Sequence, residues 1–478
     1  MRREMLLAGM VIVALTLSAA QAAAPVSFTR QAGDFVADAG SEGVAAADFD
    51  GDGKMDLVVS NDDADDVSVL WGNGSGGFLD SGAPISVGIA PFAVAVGDFN
   101  NDGKLDIATS DEIGNTVTVL LNQGNRAFAP AMSTDTGGSP QALVVADFNG
   151  DHFADVATAN DFDGTVTILF GIGDGTLFIA QTVTVGDEPV GLALGDLDGD
   201  GLPDMVVTNS SGGADGNGTV SVLKGVAGGM FEAQPEIALP ASCGTPGCVP
   251  VAVAIADLNG DHKPDAIVAN NEGDSVTVLL NTGNLANHCS VSTAKACSVD
   301  ADCPQGETCL PLLAPSSTLS NSFSVAPSPE WVVAADFDGD GRMDIATSSD
   351  FDDKVSVLVG NGDGTFMLPS VDFDVGAAPY GIVAAALNGD SKPDIASANA
   401  EDGTASVLIN TTGAGQACGG DCNGDGEVTV NELITMVNIA LGTADVSTCL
   451  AGDADSSGGI TINEIIAAVN NALNGCAK

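Results

Sequence analysis

Positive charge is what this sequence has least of. Among 478 residues there are 13 Lys and Arg against 65 Asp and Glu, a formal net charge of −52. Binding a phosphate backbone or an anionic membrane surface needs clustered cations, so neither suits this chain. Aromatic residues make up only 4%, with a single tyrosine, Tyr380. There are three histidines, and two of them, His152 and His262, lie inside acidic loops. Neither a G-x-S-x-G nucleophile turn nor an H-E-x-x-H zinc motif occurs. With no nucleophile–base constellation in sight, the expectation is a protein that is not an enzyme. Past the N-terminus, no apolar run has the length of a membrane span.

The N-terminus itself reads as a secretory signal peptide over residues 1–22. Arg2 and Arg3 precede an apolar run from Met5 to Leu17, and Ala20-Gln21-Ala22 fits the small-x-small cleavage rule. The expected location is outside the cell or at its surface, by bacterial-type export. Acidity alone can mean disorder, but 45% of the residues are apolar and strand-like runs recur. The ten cysteines form an even set, which in an exported chain predicts disulfides; no paired C-x-x-C spacing supports zinc instead.

What is abundant is repetition. ADFDGDGKMDLVVSN around Asp48 returns as GDFNNDGKLDIATSD at Asp98, ADFNGDHFADVATAN at Asp147 and GDLDGDGLPDMVVTN at Asp196. It returns again as ADLNGDHKPDAIVAN at Asp257, ADFDGDGRMDIATSS at Asp336 and AALNGDSKPDIASAN at Ala386. The starts lie 50, 49, 49, 61, 79 and 50 residues apart. Each unit also carries a β-branched run, such as VSVL at Val67 or VTVL at Val117, and a Gly-rich turn. Four short β-rich runs per unit, separated by Gly, Asn and Asp, predict a four-stranded antiparallel sheet. One such sheet cannot bury both faces, whereas radial stacking can, so the expected fold is an all-β, seven-bladed propeller. The seventh unit lacks its closing part, and the segment near Val26–Arg30 resembles one. That segment is expected to supply the outer strand of blade seven and close the ring.

In the first six units acidic residues, or Asn at position 3, occupy loop positions 1, 3, 5 and 9. They are Asp48, Asp50, Asp52 and Asp56 in the first, and Asp98, Asn100, Asp102 and Asp106 in the second. The third has Asp147, Asn149, Asp151 and Asp155, and the fourth Asp196, Asp198, Asp200 and Asp204. The fifth has Asp257, Asn259, Asp261 and Asp265, and the sixth Asp336, Asp338, Asp340 and Asp344. Alternate residues of a tight loop can point at one centre, and all-oxygen ligands favour Ca²⁺. Position 7 varies freely (Lys54, Lys104, Phe153, Leu202, Lys263, Arg342), as suits a residue that offers only its backbone carbonyl. Crowded carboxylates repel unless a cation compensates them.

D-x-[DN]-x-D-G-x-x-D on a 49-residue β-repeat resembles the FG-GAP and VCBS repeats of integrin α-subunits and secreted bacterial proteins. The resemblance spans residues 23–412 and implies seven blades, with Ca²⁺ in the loop joining strands 1 and 2 of each. The seventh loop departs from it, since Ala386 stands where the first ligand should be.

After a linker at 413–417 the pattern turns helical over 418–478. Asp421, Asn423, Asp425, Glu427 and Glu432 fit calcium-loop positions 1, 3, 5, 7 and 12, and Asp453, Asp455, Ser457, Gly459 and Glu464 repeat them. An amphipathic run follows each loop (LITMVNIAL and IIAAVNNAL). Loop-then-helix, twice, resembles a dockerin, an EF-hand-type calcium domain. The resemblance implies a docking partner for this tail, but Glu replaces the usual terminal Asp of each loop. Val430-Asn431 and Ile462-Asn463 also replace the usual hydroxyl pair, so a stabilising cap or attachment module is the expected role.

These readings converge on an extracellular binding or adhesion module that takes a glycan or a surface protein. The alternative on the same scaffold is a lectin or carbohydrate-active enzyme. The binding surface is expected opposite the cation loops. There the residue six before each loop start varies: Glu42, Phe92, Gln141, Val190, Val251, Glu330 and Tyr380, with Trp331 adjacent. The additions Asn209–Gly218 and Ala241–Cys248 are expected to project from that same face, and the Cys289–Cys309 insertion from the cation-loop face.

Overall fold

The computed structural model describes residues 26–79, 82–213, 217–239, 248–281, 322–412 and 430–441, with short pieces at 288–289, 309–310 and 313–315 and scattered positions from 443 to 469. Within them the seven units fold as seven blades. The innermost strands are Ser41–Ala47, Pro91–Gly97, Pro140–Ala146, Pro189–Gly195, Pro250–Ala256, Pro329–Ala335 and Pro379–Ala385. Each pairs antiparallel with a second strand and that with a third, and blade outer strands follow. The inner strands contact one another in sequence order, and the last contacts the first, so the ring is closed.

Burial explains why the second strands read as continuous apolar runs instead of alternating ones. All six residues of Asp56–Asn61, Asp106–Asp111, Asp155–Asn160, Asp265–Asn270, Asp344–Ser349 and Asp394–Asn399 are buried. Each blade is sandwiched between two neighbours, so both faces of its sheet are core. Leu57 and Val59 pack toward blade seven, while Val58 packs toward blade two. There is one such apolar cluster for each of the seven blade interfaces. A fully buried Val or Leu of this kind contributes roughly 1.5–3 kcal/mol.

Ring closure follows the expected route. Phe28–Arg30 runs antiparallel to Thr404–Asn410, with Phe28 opposite Asn410 and Arg30 opposite Leu408. The Phe28 ring lies edge-on to Phe337 and Phe373, at 5.6 and 5.1 Å between centroids. The first strand of the described chain is thus the outer strand of blade seven.

One expectation is corrected. A paired loop–helix domain needs two helices to bury each other's apolar faces. Among the described residues there is one α-helix, Val430–Ala440, of 11 residues. An α-helical, dockerin-like or EF-hand domain is therefore not supported, and the fold is the all-β propeller. Both tail loops (Asp421, Asn423, Asp425, Glu427; Asp453, Asp455, Ser457, Gly459, Glu464) lie outside the described residues. Glu432 is in the helix and is buried. Met436 and Ile439 of that helix form a small cluster with Cys449, Ile460 and Ala468. The disulfide expectation holds where it can be read: Cys248 and Cys449 are buried and disulfide-bonded, and no free cysteine lies among the described residues. No helix of the described residues is long and apolar enough to cross a membrane.

Candidate metal loops and the opposite mouth

Each acidic loop is first of all a turn built by its own carboxylates. Asp48 Oδ1 accepts the N–H groups of Gly51 and Asp52 at 2.8 and 3.1 Å, and its Oδ2 accepts that of Gly53 at 2.9 Å. Asp50 Oδ1 accepts from Asp52 N, and Asp52 Oδ1 from Lys54 N. Asp56 opens the second strand and accepts from Phe49 N at 3.0 Å and Gly72 N at 2.8 Å. The same pattern recurs around Asp196, Asp200 and Asp204, and around Asp336, Asp340 and Asp344. Position 6 is left-handed in all seven loops: Gly in four, His152 at φ +73°, His262 at +63° and Ser391 at +68° in the others.

Positions 1, 3 and 9 come together. Asp48, Asp50 and Asp56 bring one carboxylate oxygen each within 4.8 Å of one another, as do Asp196, Asp198 and Asp204, and Asp336, Asp338 and Asp344. These three all-oxygen groups fit a divalent cation. Loops two, three and five carry an amide at position 3, Asn100, Asn149 and Asn259, beside Asp98 and Asp106, Asp147 and Asp155, and Asp257 and Asp265.

Position 5 is arranged differently. The far oxygens of Asp52, Asp102 and Asp261 face Lys54, Lys104 and Lys263 at 2.6, 2.6 and 2.9 Å. Asp340 pairs with Arg342 in the same way. Loop four has Leu202 at position 7, and Lys224 of the third strand replaces the missing cation, 3.2 Å from Asp200. In loop three, Asp151 accepts from Asn149 and from the N–H of Phe153. Without Asp at position 1, loop seven retains the bonds that Asn388 Oδ1 accepts from Asp390 N and Asp390 Oδ1 accepts from Lys392 N, while Lys392 Nζ donates to the Thr412 carbonyl at 2.5 Å.

The buried position-9 carboxyls carry the electrostatic load. Burial pushes Asp56, Asp106, Asp155, Asp204 and Asp265 up to about 6 and Asp344 to about 7, against the backbone N–H donors that favour the ionised form. A cation held by the loop would reverse that shift.

Neighbouring blades also hold these loops. The position-2 carbonyl of one loop accepts an N–H from the next blade. Asn122, Asn281 and Asn410 donate from their side chains to Phe49, Leu197 and Phe337 at 2.7, 2.6 and 2.9 Å. Backbone N–H groups of Gly175, Gly364 and Gly76 do so to Phe99, Leu258 and Leu387. Local sequence patterns do not reveal these long-range partners.

On the opposite face the expected variable residues gather around the channel mouth, but as a packed plug. Tyr380 stacks edge-on to Phe92 and hydrogen-bonds Glu330, which is buried and also accepts from Asn271. Trp331 is half-buried and touches the cluster between blades six and seven as well as the one between blades two and three, across the ring. Burial raises Glu42 to about 8 and Glu330 to about 7, and nearby acids add to both shifts. A cleft of about 550 Å³ adjoins Glu42, lined by Asp38, Asp62, Asp63, Glu401 and Asp402 among others. The hairpin of Asn209–Gly218 extends from this face and is tied to Cys248 through Gly218 N and Asn217 Oδ1. Its residues 214–216, residues 241–247, and residues 290–308 of the cysteine-rich insertion lie outside the described residues.

Comparison with known proteins agrees with this architecture. Residues 48–109, 147–207 and 336–397 match the model of the FG-GAP-like repeat, each stretch beginning on the first aspartate of a loop. No curated protein matches the sequence. Among solved structures, BBS1N in complex with ARL6DN is similar at 13% identity and a TM-score of 0.50, covering 80% of this chain and 96% of that one. A streptogramin B lyase follows at 14% identity and 0.49, covering 80% and 98%. A lectin of Agrocybe aegerita that recognises non-reducing terminal N-acetylglucosamine matches at 20% and 0.42, covering 79% and 86%. At such identities the likeness concerns the fold alone.

Proposed function

We propose that this seven-bladed propeller with FG-GAP-like repeats is a calcium-loaded extracellular binding module, taking a protein or glycan on the face opposite its acidic loops. The observation that carries the reading is the division of labour between the two faces. One face holds three convergent carboxylate triads inside rigid turns. The other holds a cleft, an extended hairpin and the exposed turn residues Ile113, Phe162 and Phe351, 68, 83 and 79% accessible. Variable side chains on a rigid frame, with exposed aromatics among them, are where recognition usually resides. Calcium at the loops stiffens the frame, since a ligand bound only by the folded state stabilises it.

The test is a glycan and surface-protein array probed with the full chain in calcium and again in chelator. Binding that needs calcium, and that Phe162→Ala with Phe351→Ala weakens without lowering the melting temperature, supports the reading. Binding lost only on changing the cation-loop face refutes the choice of face.

One observation favours a sugar-active second reading. Burial pushes Glu42 up to about 8 and Glu330 to about 7, the Glu330 charge adds to the Glu42 shift, and Tyr380 hydrogen-bonds Glu330. Release of sugar from a glycan panel, abolished by Glu42→Gln, would establish it.

A further inference from the structure

The three carboxylate triads do not present themselves equally, and position 3 is where they differ. In blade one, Asp50 Oδ2 is engaged by Arg126 of blade two, 2.8 Å from Nε and 2.7 Å from Nη2. The Arg126 guanidinium lies over the Trp71 ring, 4.8 Å from its centroid, so its place is fixed from two sides. In blade four, Lys224 Nζ sits 2.8 Å from Asp198 Oδ2, and the Asp198 side chain is wholly buried beneath it. In blade six the basic residue is Arg342, and it turns to Asp340 at position 5. Among the described residues no cationic side chain lies within ion-pair distance of Asp338; its Oδ1 accepts the Asp340 N–H at 3.0 Å.

Given calcium in the loops, as proposed above, we infer that Arg126 and Lys224 are tethered counter-cations that weaken divalent binding at loops one and four. Loop six is then the tightest cation site of the propeller. A divalent ion entering the first or fourth triad must displace the resident cation or share its carboxylate with it. Either way a fixed positive charge a few ångströms away opposes it. Arg126 is 42% exposed, so solvent screens part of that opposition, whereas Lys224 is 22% exposed and over a buried partner. The same charges have a second effect. Without metal they neutralise position 3 and keep loops one and four formed, while at Asp338 of loop six no cation pairs among the described residues and Arg342 sits on Asp340 instead. Scarce calcium would thus loosen blade six first and leave blades one and four in place.

The experiment is calorimetric titration of the full chain with Ca²⁺ in the wild type and in Arg126→Met, Lys224→Met, Asp338→Asn and Lys354→Met. Methionine keeps the apolar stem and removes the charge. Arg126→Met and Lys224→Met are each expected to raise the affinity of one site about tenfold. Asp338→Asn is expected to remove the tightest site. Lys354→Met, on the opposite face beside Asp352, is expected to change nothing. A melting arm separates affinity from folding: Lys224→Met should melt lower than wild type in chelator and level with it in saturating Ca²⁺. Equal sites in the wild type, with both methionine variants within twofold of it, would overturn the inference while leaving calcium binding intact. A wild type that takes up no calcium would remove both.

Discussion

Tyr380 of blade seven stands edge-on to Phe92 of blade two, with ring centroids 5.3 Å apart and planes at 81°, so the two rings meet past blade one. Together with Trp331 they fill the channel mouth and link blades that are not neighbours. Tyr380→Ala is expected to destabilise the propeller by roughly 2–4 kcal/mol, as for removal of a large buried side chain. Tyr380→Phe, which loses only the hydroxyl partnered with Glu330, should cost about 1 kcal/mol. Denaturant unfolding of both variants decides between a packing role and an exposed anchor; an unchanged midpoint for Tyr380→Ala would show that the plug carries no stability.

Removal of metal should be felt as lost stability. With loops of extracellular type, dissociation constants on the order of 10⁻⁴–10⁻³ M are expected, and millimolar calcium then raises the melting temperature. Asp48→Ala should abolish uptake at the first loop, because it deletes a carboxylate that also accepts three backbone N–H groups. Asp390→Ala in the seventh loop should leave calcium uptake unchanged, since Ala386 already leaves that loop without its first carboxylate. Equal losses in a calorimetric comparison would mean that loop seven holds metal after all.

Acidity should act in opposite directions on the metal-free and metal-loaded protein. Glu42 and Glu330 have folded values raised to about 8 and about 7, above the ordinary 4.5 of the unfolded chain, chiefly through burial. Their contribution is fully present below that ordinary value and is lost as pH rises toward 8, so the chelated protein should gain roughly 1–3 kcal/mol between pH 8 and pH 5. Glu42→Gln should flatten that slope. Calcium needs the position-9 carboxylates ionised, and protons compete as pH falls through about 6. The melting-temperature increment from calcium should therefore shrink between pH 7.5 and pH 5; an increment independent of pH would exclude Asp56 and its equivalents as ligands.

His152 is a third place to look. Its φ of +73° is a left-handed conformation that costs a side chain with a Cβ, and its imidazole is 87% exposed, so little packing holds it there. His152→Gly is expected to stabilise blade three by about 0.5–1 kcal/mol, the strain relieved exceeding the added chain entropy. Thermal unfolding in chelator is the check, and a lower midpoint would mean that the imidazole does more than occupy the turn.

Much of this was legible because the propeller repeats itself. Asp56, Asp106, Asp155, Asp204, Asp265, Asp344 and Asp394 all open second strands at one offset from their loops, so seven copies make each position readable. Closure by Phe28–Arg30 was legible for the same reason, since its segment looks like a displaced end of a unit. Arg126 was not, because it reaches Asp50 from 76 residues away and belongs to no repeated position. Nor was the turn of Asp52 toward Lys54, which depends on where a flexible side chain finds its partner. The variable residues of the mouth were legible as a set, but their spacing does not say that Tyr380 and Trp331 turn inward. For the tail, the loop–helix pattern repeats in sequence, but among the described residues one α-helix is found, Val430–Ala440.

The pairing of Phe28 with Asn410 has a consequence in time. The earliest strand of the ring in chain order waits for nearly the last one, some 380 residues later, so closure has the longest loop in the molecule to overcome. Until Thr404–Asn410 has emerged, an open arc of blades exposes an unpaired edge at blade seven and an uncovered face on blade one. A chain that appears N-terminus first would therefore complete its ring only after its last blade has emerged.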